Sequence, residues 1–100
     1  MHRYIRDMGL RFSWDARKAR ANQRKHGIGF PEAATAFGDA LSVTIPDPDH
    51  SAGERRYLLV GLTARRQLVV VAHSERGNEI RIISARRATR AEREAYEEGE

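Results

Sequence analysis

Lys18, Asn22 and His26 stand four residues apart in a stretch free of proline and glycine, with Lys25 beside them. On a helix that spacing gathers them into one stripe. An unperturbed imidazole titrates near pH ~6.5, so His26 is suited to proton transfer, with Lys18 or Lys25 sharing that task. The same residues have plainer roles: a histidine at a helix C-terminus steadies the helix dipole, lysines are solvated there, and Asn22 holds the following loop. Later in the chain Arg55 and Arg56 open one apolar stretch, and Arg81, Ser84, Arg86 and Arg87 punctuate another. Guanidinium groups grip phosphate oxygens in a planar fork, which makes them the natural ligands of a phosphodiester. By strict alternation Arg81, Ile83, Ala85 and Arg87 share one side of a strand, and Ile80, Ile82, Ser84 and Arg86 the other. Arg81 in mid-strand is then either on an open face or paired with Glu79, Glu75 or Glu54.

These groups suit cleavage of RNA by its own 2′-hydroxyl. The nucleophile is part of the substrate, so the protein has only to orient the phosphodiester, move protons and stabilise charge on phosphorus. Other chemistries find less support. The chain has no cysteine, so thiolate zinc sites and disulfides are excluded. Asp47, Asp49 and His50, with Glu54 nearby, match no metal-binding loop, and neither a glycine-rich phosphate loop nor an orientable Ser-His-Asp set is present. His73, at a strand end, is a weaker candidate than His26. No metal and no cofactor is expected.

The elements that must position these residues are short. Leu10, Phe12 and Trp14 alternate with polar residues as a strand, and Asp15 caps a helix over residues 16–26 that Gly27 stops. Phe30-Pro31-Glu32 opens a second helix with an apolar stripe of Phe30, Ala33, Ala34 and Phe37. Four β segments follow at residues 41–45, 56–62, 67–73 and 79–85, with connections too short for parallel crossovers. Thr89 and Glu92 then form a capping box for a last helix carrying Tyr96. The order β-α-α-β-β-β-β-α predicts an α+β fold, a mostly antiparallel sheet with helices on one face and the other open to a ligand. Residues 1–9 read as a flexible leader and 10–100 as a single domain.

Charge points to the partner. The chain carries 18 Lys and Arg against 14 Asp and Glu, and five of the carboxylates (Glu92, Glu94, Glu97, Glu98 and Glu100) crowd the end. Residues 1–91 therefore hold 17 basic and 9 acidic side chains. A body this basic takes a polyanion as partner, either nucleic acid or an acidic protein. No apolar run approaches the length of a membrane span and no secretory h-region precedes Leu10, so a cytoplasmic location without membrane contact is expected.

The pattern Phe12-x-Trp14-Asp15-x-x-Lys18-x-x-x-Asn22-x-x-Lys25-His26-Gly27-x-x-Phe30-x-x-Ala33, joined to Arg81-x-Ile83-Ser84-Ala85-Arg86-x-Ala88-x-x-x-Glu92 and Tyr96, resembles the BrnT family of bacterial type II toxins. The resemblance spans Leu10 to Tyr96. It implies a RelE-like fold, ribonuclease activity that arrests translation and growth, and a BrnA-type antitoxin whose complex with the toxin binds operator DNA. The substrate it implies is RNA, ribosome-bound mRNA included. By this resemblance Lys18, Asn22, Lys25, His26, Arg56, Arg81, Ser84 and Arg86 are family positions. His26, Lys18, Lys25, Arg56, Arg81 and Arg86 are read as catalytic, and Asn22, Ser84, Arg55, Arg87 and Tyr96 as RNA-binding. Phe12, Trp14, Phe30, Ala33 and Phe37 are read as core. The alternative to an enzyme is a non-catalytic module using the same arginines for phosphate contacts, or a basic surface that serves mainly to receive the antitoxin.

Overall fold

The computed structural model of the chain describes residues 2–7, 9–48 and 55–99. Its elements are strands β1 (His2–Asp7) and β2 (Leu10–Asp15), helices α1 (Ala16–His26) and α2 (Phe30–Thr35), strands β3 (Val43–Pro46), β4 (Arg56–Leu62), β5 (Leu68–Arg76) and β6 (Glu79–Arg87), and helix α3 (Arg90–Glu98). A 3-10 turn, Ala36–Gly38, extends α2. The strands form one sheet in the order β1-β2-β6-β5-β4-β3, antiparallel throughout except where β2 runs parallel to β6.

From Leu10 onward this is the expected α+β order. The first strand is the departure: His2–Asp7 pairs with β2 from His2↔Asp15 to Asp7↔Leu10, where a flexible leader was expected. Tyr4 and Ile5 are adjacent, so no period-two signal marks this segment. Gly9, with φ at 79°, supplies the left-handed backbone that lets the chain turn back on itself.

The caps arise as the side chains dictate. Asp15 Oδ1 accepts hydrogen bonds from the backbone N–H groups of Arg17 (2.8 Å) and Lys18 (3.3 Å), and these bonds hold its carboxyl below the usual carboxylate range. Gly27, at φ 73°, closes α1 through its N–H to the Gln23 carbonyl. Thr89 and Glu92 form the full capping box of α3.

Phe12, Trp14, Phe30, Ile28, Leu59, Val69, Val71, Ile80, Ile82 and Ala85 are buried together on the inner face of the sheet, beneath α1 and α2. Phe12 meets Phe37 and Trp14 meets Phe30 edge to face, at centroid distances of 5.1 and 6.1 Å. Gly61 lets the 3-10 turn approach β4, since a Cβ there would stand 3.0 Å from the Ala36 carbonyl oxygen. Helix α3 departs from the expected one-sided arrangement. Its Ala95 and Tyr96 line a groove of about 240 Å³ with Val43, Ile45, Leu58, Val60 and Val70, which alternate away from the inner core. Strand β3 ends the sheet, and Leu41, Val43 and Ile45 beside it are 51, 48 and 47% exposed. Among the described residues no helix is long and apolar enough to cross a membrane.

Candidate active site

The outer face of the sheet is set by an irregularity in β6. Ala72 lies opposite Ser84 while His73 lies opposite Ile82, so Ile83 is an extra residue without a partner. Such a bulge resets the alternation. Ile80, Ile82 and Ala85 all enter the inner core, whereas Arg81, Ser84 and Arg86 share the outer face. The strict alternation read from the sequence, which separated Arg81 from Ser84 and Arg86, is thereby corrected.

Strand order then assembles two rows across this face. Arg56 lies opposite Ser74, Ser74 opposite Arg81, and Arg81 opposite Ser13. The neighbouring row is Arg76, Glu79 and Arg11. Side chains at paired positions emerge on the same side with Cβ atoms about 4.5–5.5 Å apart, and successive rows on one face are about 7 Å apart. Four arginines from four strands thus converge around one carboxylate and two hydroxyls. Ser74, Arg76, Glu79 and Arg81 line a recess of about 150 Å³.

Arg81 lies half-buried in this recess and has no hydrogen bond or ion pair among the described residues. The carboxylates that the sequence offered it are turned elsewhere. Glu79 accepts from Arg11 at 3.0 Å and from the Ser13 hydroxyl at 3.4 Å, and Glu75 lies 3.0 Å from His73 Nε2. Glu54 lies outside the described residues, as do Asp49 and His50. A cation held in place by a rigid sheet and lacking an internal counter-charge is a ready anion site.

Other expected site residues sit differently. Asn22 is buried and its amide is committed to backbone: Nδ2 donates to the carbonyls of Ile28 (3.1 Å) and Ala85 (2.9 Å), and Oδ1 accepts from the Ala85 N–H (3.0 Å). It therefore has no donor left for RNA. Beyond Ser13 strand β2 no longer pairs with β6, and Asn22 supplies the partner that Ala85 would otherwise lack. Arg86 donates both terminal nitrogens to Glu92 at 2.8 Å, and this pairing ties β6 to the start of α3 instead of leaving a free guanidinium. The Glu92 hydrogen bonds raise Arg86 above its ordinary value, against a smaller opposing effect of burial. Glu92, hydrogen-bonded by Arg86, is held at about 2 despite its own desolvation.

Tyr96 is likewise a tether, its hydroxyl donating to Asp39 Oδ2 at 2.5 Å. Burial pushes the Asp39 carboxyl up, but the bonds from Tyr96 and from the Leu62 and Leu41 N–H groups outweigh it and hold it low. Arg87 pairs with Val69 on the inner side of the sheet, away from Arg81, where its side chain is exposed at the strand end. Arg55 is exposed just before β4. On α1, Ala19 packs against the core, and the 100° helical step puts His26 on the Ala19 side of Asn22. Lys18 and Lys25 fall on the opposite side of Asn22 and are exposed. Lys18 and Lys25 thus lie on the exposed side of α1, whereas His26 lies toward the side on which Ala19 packs against the core.

Glu79, Arg11, Arg76, Ser74 and Ser13 were not singled out from the sequence as site residues. Each alternates correctly within its own strand, but only the order β2-β6-β5-β4 brings them together, and that order is not written in any local pattern.

The sequence model of one protein family, described as "Ribonuclease toxin, BrnT, of type II toxin-antitoxin system", matches residues 14–92. No curated protein matches the sequence. Among solved structures, the chain is similar to the ribonuclease toxin BrnT of Brucella abortus, with a TM-score of 0.55 and 22% sequence identity. That similarity covers 77% of this chain and 94% of the Brucella chain.

Proposed function

Since the chain belongs to the BrnT family of ribonuclease toxins of type II toxin-antitoxin systems, we propose that it cuts RNA on the outer face of its sheet by a metal-independent, 2′-hydroxyl-assisted reaction. The observation that carries this reading is Arg81, an arginine without a counter-charge among the described residues, set between Ser74 and Ser13 in a row that Arg56 extends. Its guanidinium grips the non-bridging oxygens of the scissile phosphate and neutralises the charge that grows as phosphorus becomes five-coordinate. Arg56 and Ser84 hold the flanking backbone, and Lys18 and Lys25 add positive potential from the exposed side of α1. Arg86 acts through Glu92 on the placement of α3 and does not touch RNA. An internal nucleophile needs no metal to generate it, which is why an arginine-rich face suffices.

The physiological inhibitor on this reading is a BrnA-type antitoxin, and the cytoplasm is the site of action. It covers the outer face, with apolar residues seated against Val43 and Ile45 and acidic ones against the arginine rows, and the complex binds operator DNA through the antitoxin. A basic toxin attracts an acidic segment at long range, which favours such a docking. Hydrogen exchange on the co-purified complex is expected to show protection across β3 to β6. Unchanged exchange there would place the antitoxin elsewhere.

The deciding experiment is tightly controlled expression in a bacterium, with and without the adjacent gene, alongside purified protein acting on RNA. Growth arrest with RNA breakage, relieved by the neighbour and abolished by Arg81→Ala, is expected. Salt-dependent RNA binding by wild type without cleavage, free or on ribosomes, would instead identify a non-catalytic binding module.

A further inference from the structure

We infer that Glu79 is the general base of this site, taking the proton of the 2′-hydroxyl that attacks phosphorus; the inference rests on the ribonuclease reading above. The recess beside Arg81 is lined by two arginines, a serine and Glu79. Arginine stays protonated throughout the accessible pH range and a serine hydroxyl is no base at neutrality, so Glu79 is the lining side chain able to accept a proton there. It is also placed for the purpose. Two positions from Arg81 on β6, it emerges on the same face, about 7 Å along the strand, so a phosphate held by Arg81 and the neighbouring ribose span the two side chains. Arg11 at 3.0 Å and Ser13 at 3.4 Å fix the carboxylate, while its side chain remains 36% exposed.

A carboxylate at the centre of a phosphate-binding face is unfavourable for binding alone, because it repels the polyanion that the arginines attract. Its presence among Arg11, Arg76 and Arg81 is explained by a step that binding does not include. In that step the O2′–H bond breaks and the proton passes to Glu79 as the O2′–P bond forms. The P–O5′ bond then breaks, its electron pair stays on O5′, and O5′ takes a proton from water. Glu79 returns its proton to the hydroxide so left. The products are a 2′,3′-cyclic phosphate and a 5′-hydroxyl, with no external oxidant, reductant or hydrolysis.

The test is single-turnover cleavage of a short RNA by the whole protein at neutral pH, wild type beside Glu79→Gln, Glu79→Asp, Arg11→Ala and Arg81→Ala. Affinity is measured in parallel on the same RNA with a 2′-deoxy residue at the cut. Glu79→Gln is expected to slow cleavage about 10²–10⁴-fold and to leave affinity for the uncleavable RNA undiminished. Glu79→Asp, which keeps a carboxylate, is expected to recover part of the rate. A Glu79→Gln rate within threefold of wild type, with Arg81→Ala inactive, overturns the inference and leaves the ribonuclease reading standing. So does a loss of affinity matching the loss of rate, or an Arg11→Ala variant that reproduces the whole Glu79→Gln phenotype, because Glu79 would then act only by holding Arg11. Wild type that binds RNA and never cuts it overturns both.

Discussion

Asn22 illustrates how a polar side chain in a basic stripe can be committed to the backbone of the fold. Its three hydrogen bonds to Ile28 and Ala85 join α1, the loop after it and β6 just beside the bulge. Replacing it with leucine leaves one buried N–H and two carbonyls unpaired, and a loss of about 2–4 kcal/mol is expected in urea denaturation. Arg81 gives the opposite prediction. Arg81→Ala removes a charge without a partner among the described residues, so the melting transition is expected to stay within a few degrees of wild type while cleavage falls about 10²–10³-fold. Arg81→Lys restores the charge but not the fork, and is expected to recover only a small part of that loss. The sequence showed both residues as members of one pattern, and nothing local separated the backbone latch from the residue proposed to bind phosphate. The distinction depends on which atoms lie opposite each side chain.

At the scale of elements, the helices were legible and the face of β6 was not. Asp15, Gly27 and the Thr89 and Glu92 pair announce their helix ends because a cap is a contact between near neighbours in the chain. The bulge at Ile83 is a relation between β5 and β6, so alternation along β6 alone assigned Ser84 and Arg86 to the wrong side of Arg81. The strand β1 escaped notice for a similar reason, its pairing with β2 being stronger than any pattern of its own. Helix α3 is tethered by Arg86 to Glu92 and by Tyr96 to Asp39, and each tether includes a carboxylate held low. Glu92 is depressed to about 2 in the folded chain, so its contribution is fully present above the unfolded value near 4.5 and is lost as pH falls toward 2. The pair is partly exposed, and about 1–2 kcal/mol is the expected size after solvent screening. Urea denaturation between pH 2 and 6 is expected to show this slope in wild type and to show it reduced in Glu92→Gln.

For the molecule as a whole, an excess of basic over acidic residues, 18 against 14, makes RNA affinity a matter of ionic strength. On single-stranded RNA the logarithm of affinity is expected to fall with the logarithm of salt by about 0.7 for each phosphate neutralised, and Arg81→Ala to reduce that slope by about one such increment. A fluorescence titration at several salt concentrations checks it; an unchanged slope would mean that Arg81 does not meet phosphate. The same overall view gives the edge strand β3 a consequence for handling. Among the described residues no strand neighbours its outer backbone groups, and Val43 and Ile45 stand exposed beside them. Such an edge invites another chain to add on, and nothing in β3 itself, Val43-Thr44-Ile45-Pro46, carries the charge that usually blocks this; only Pro46 interrupts it. Protein freed from its partner and concentrated is therefore expected to cloud on standing, and Val43→Lys to keep it clear.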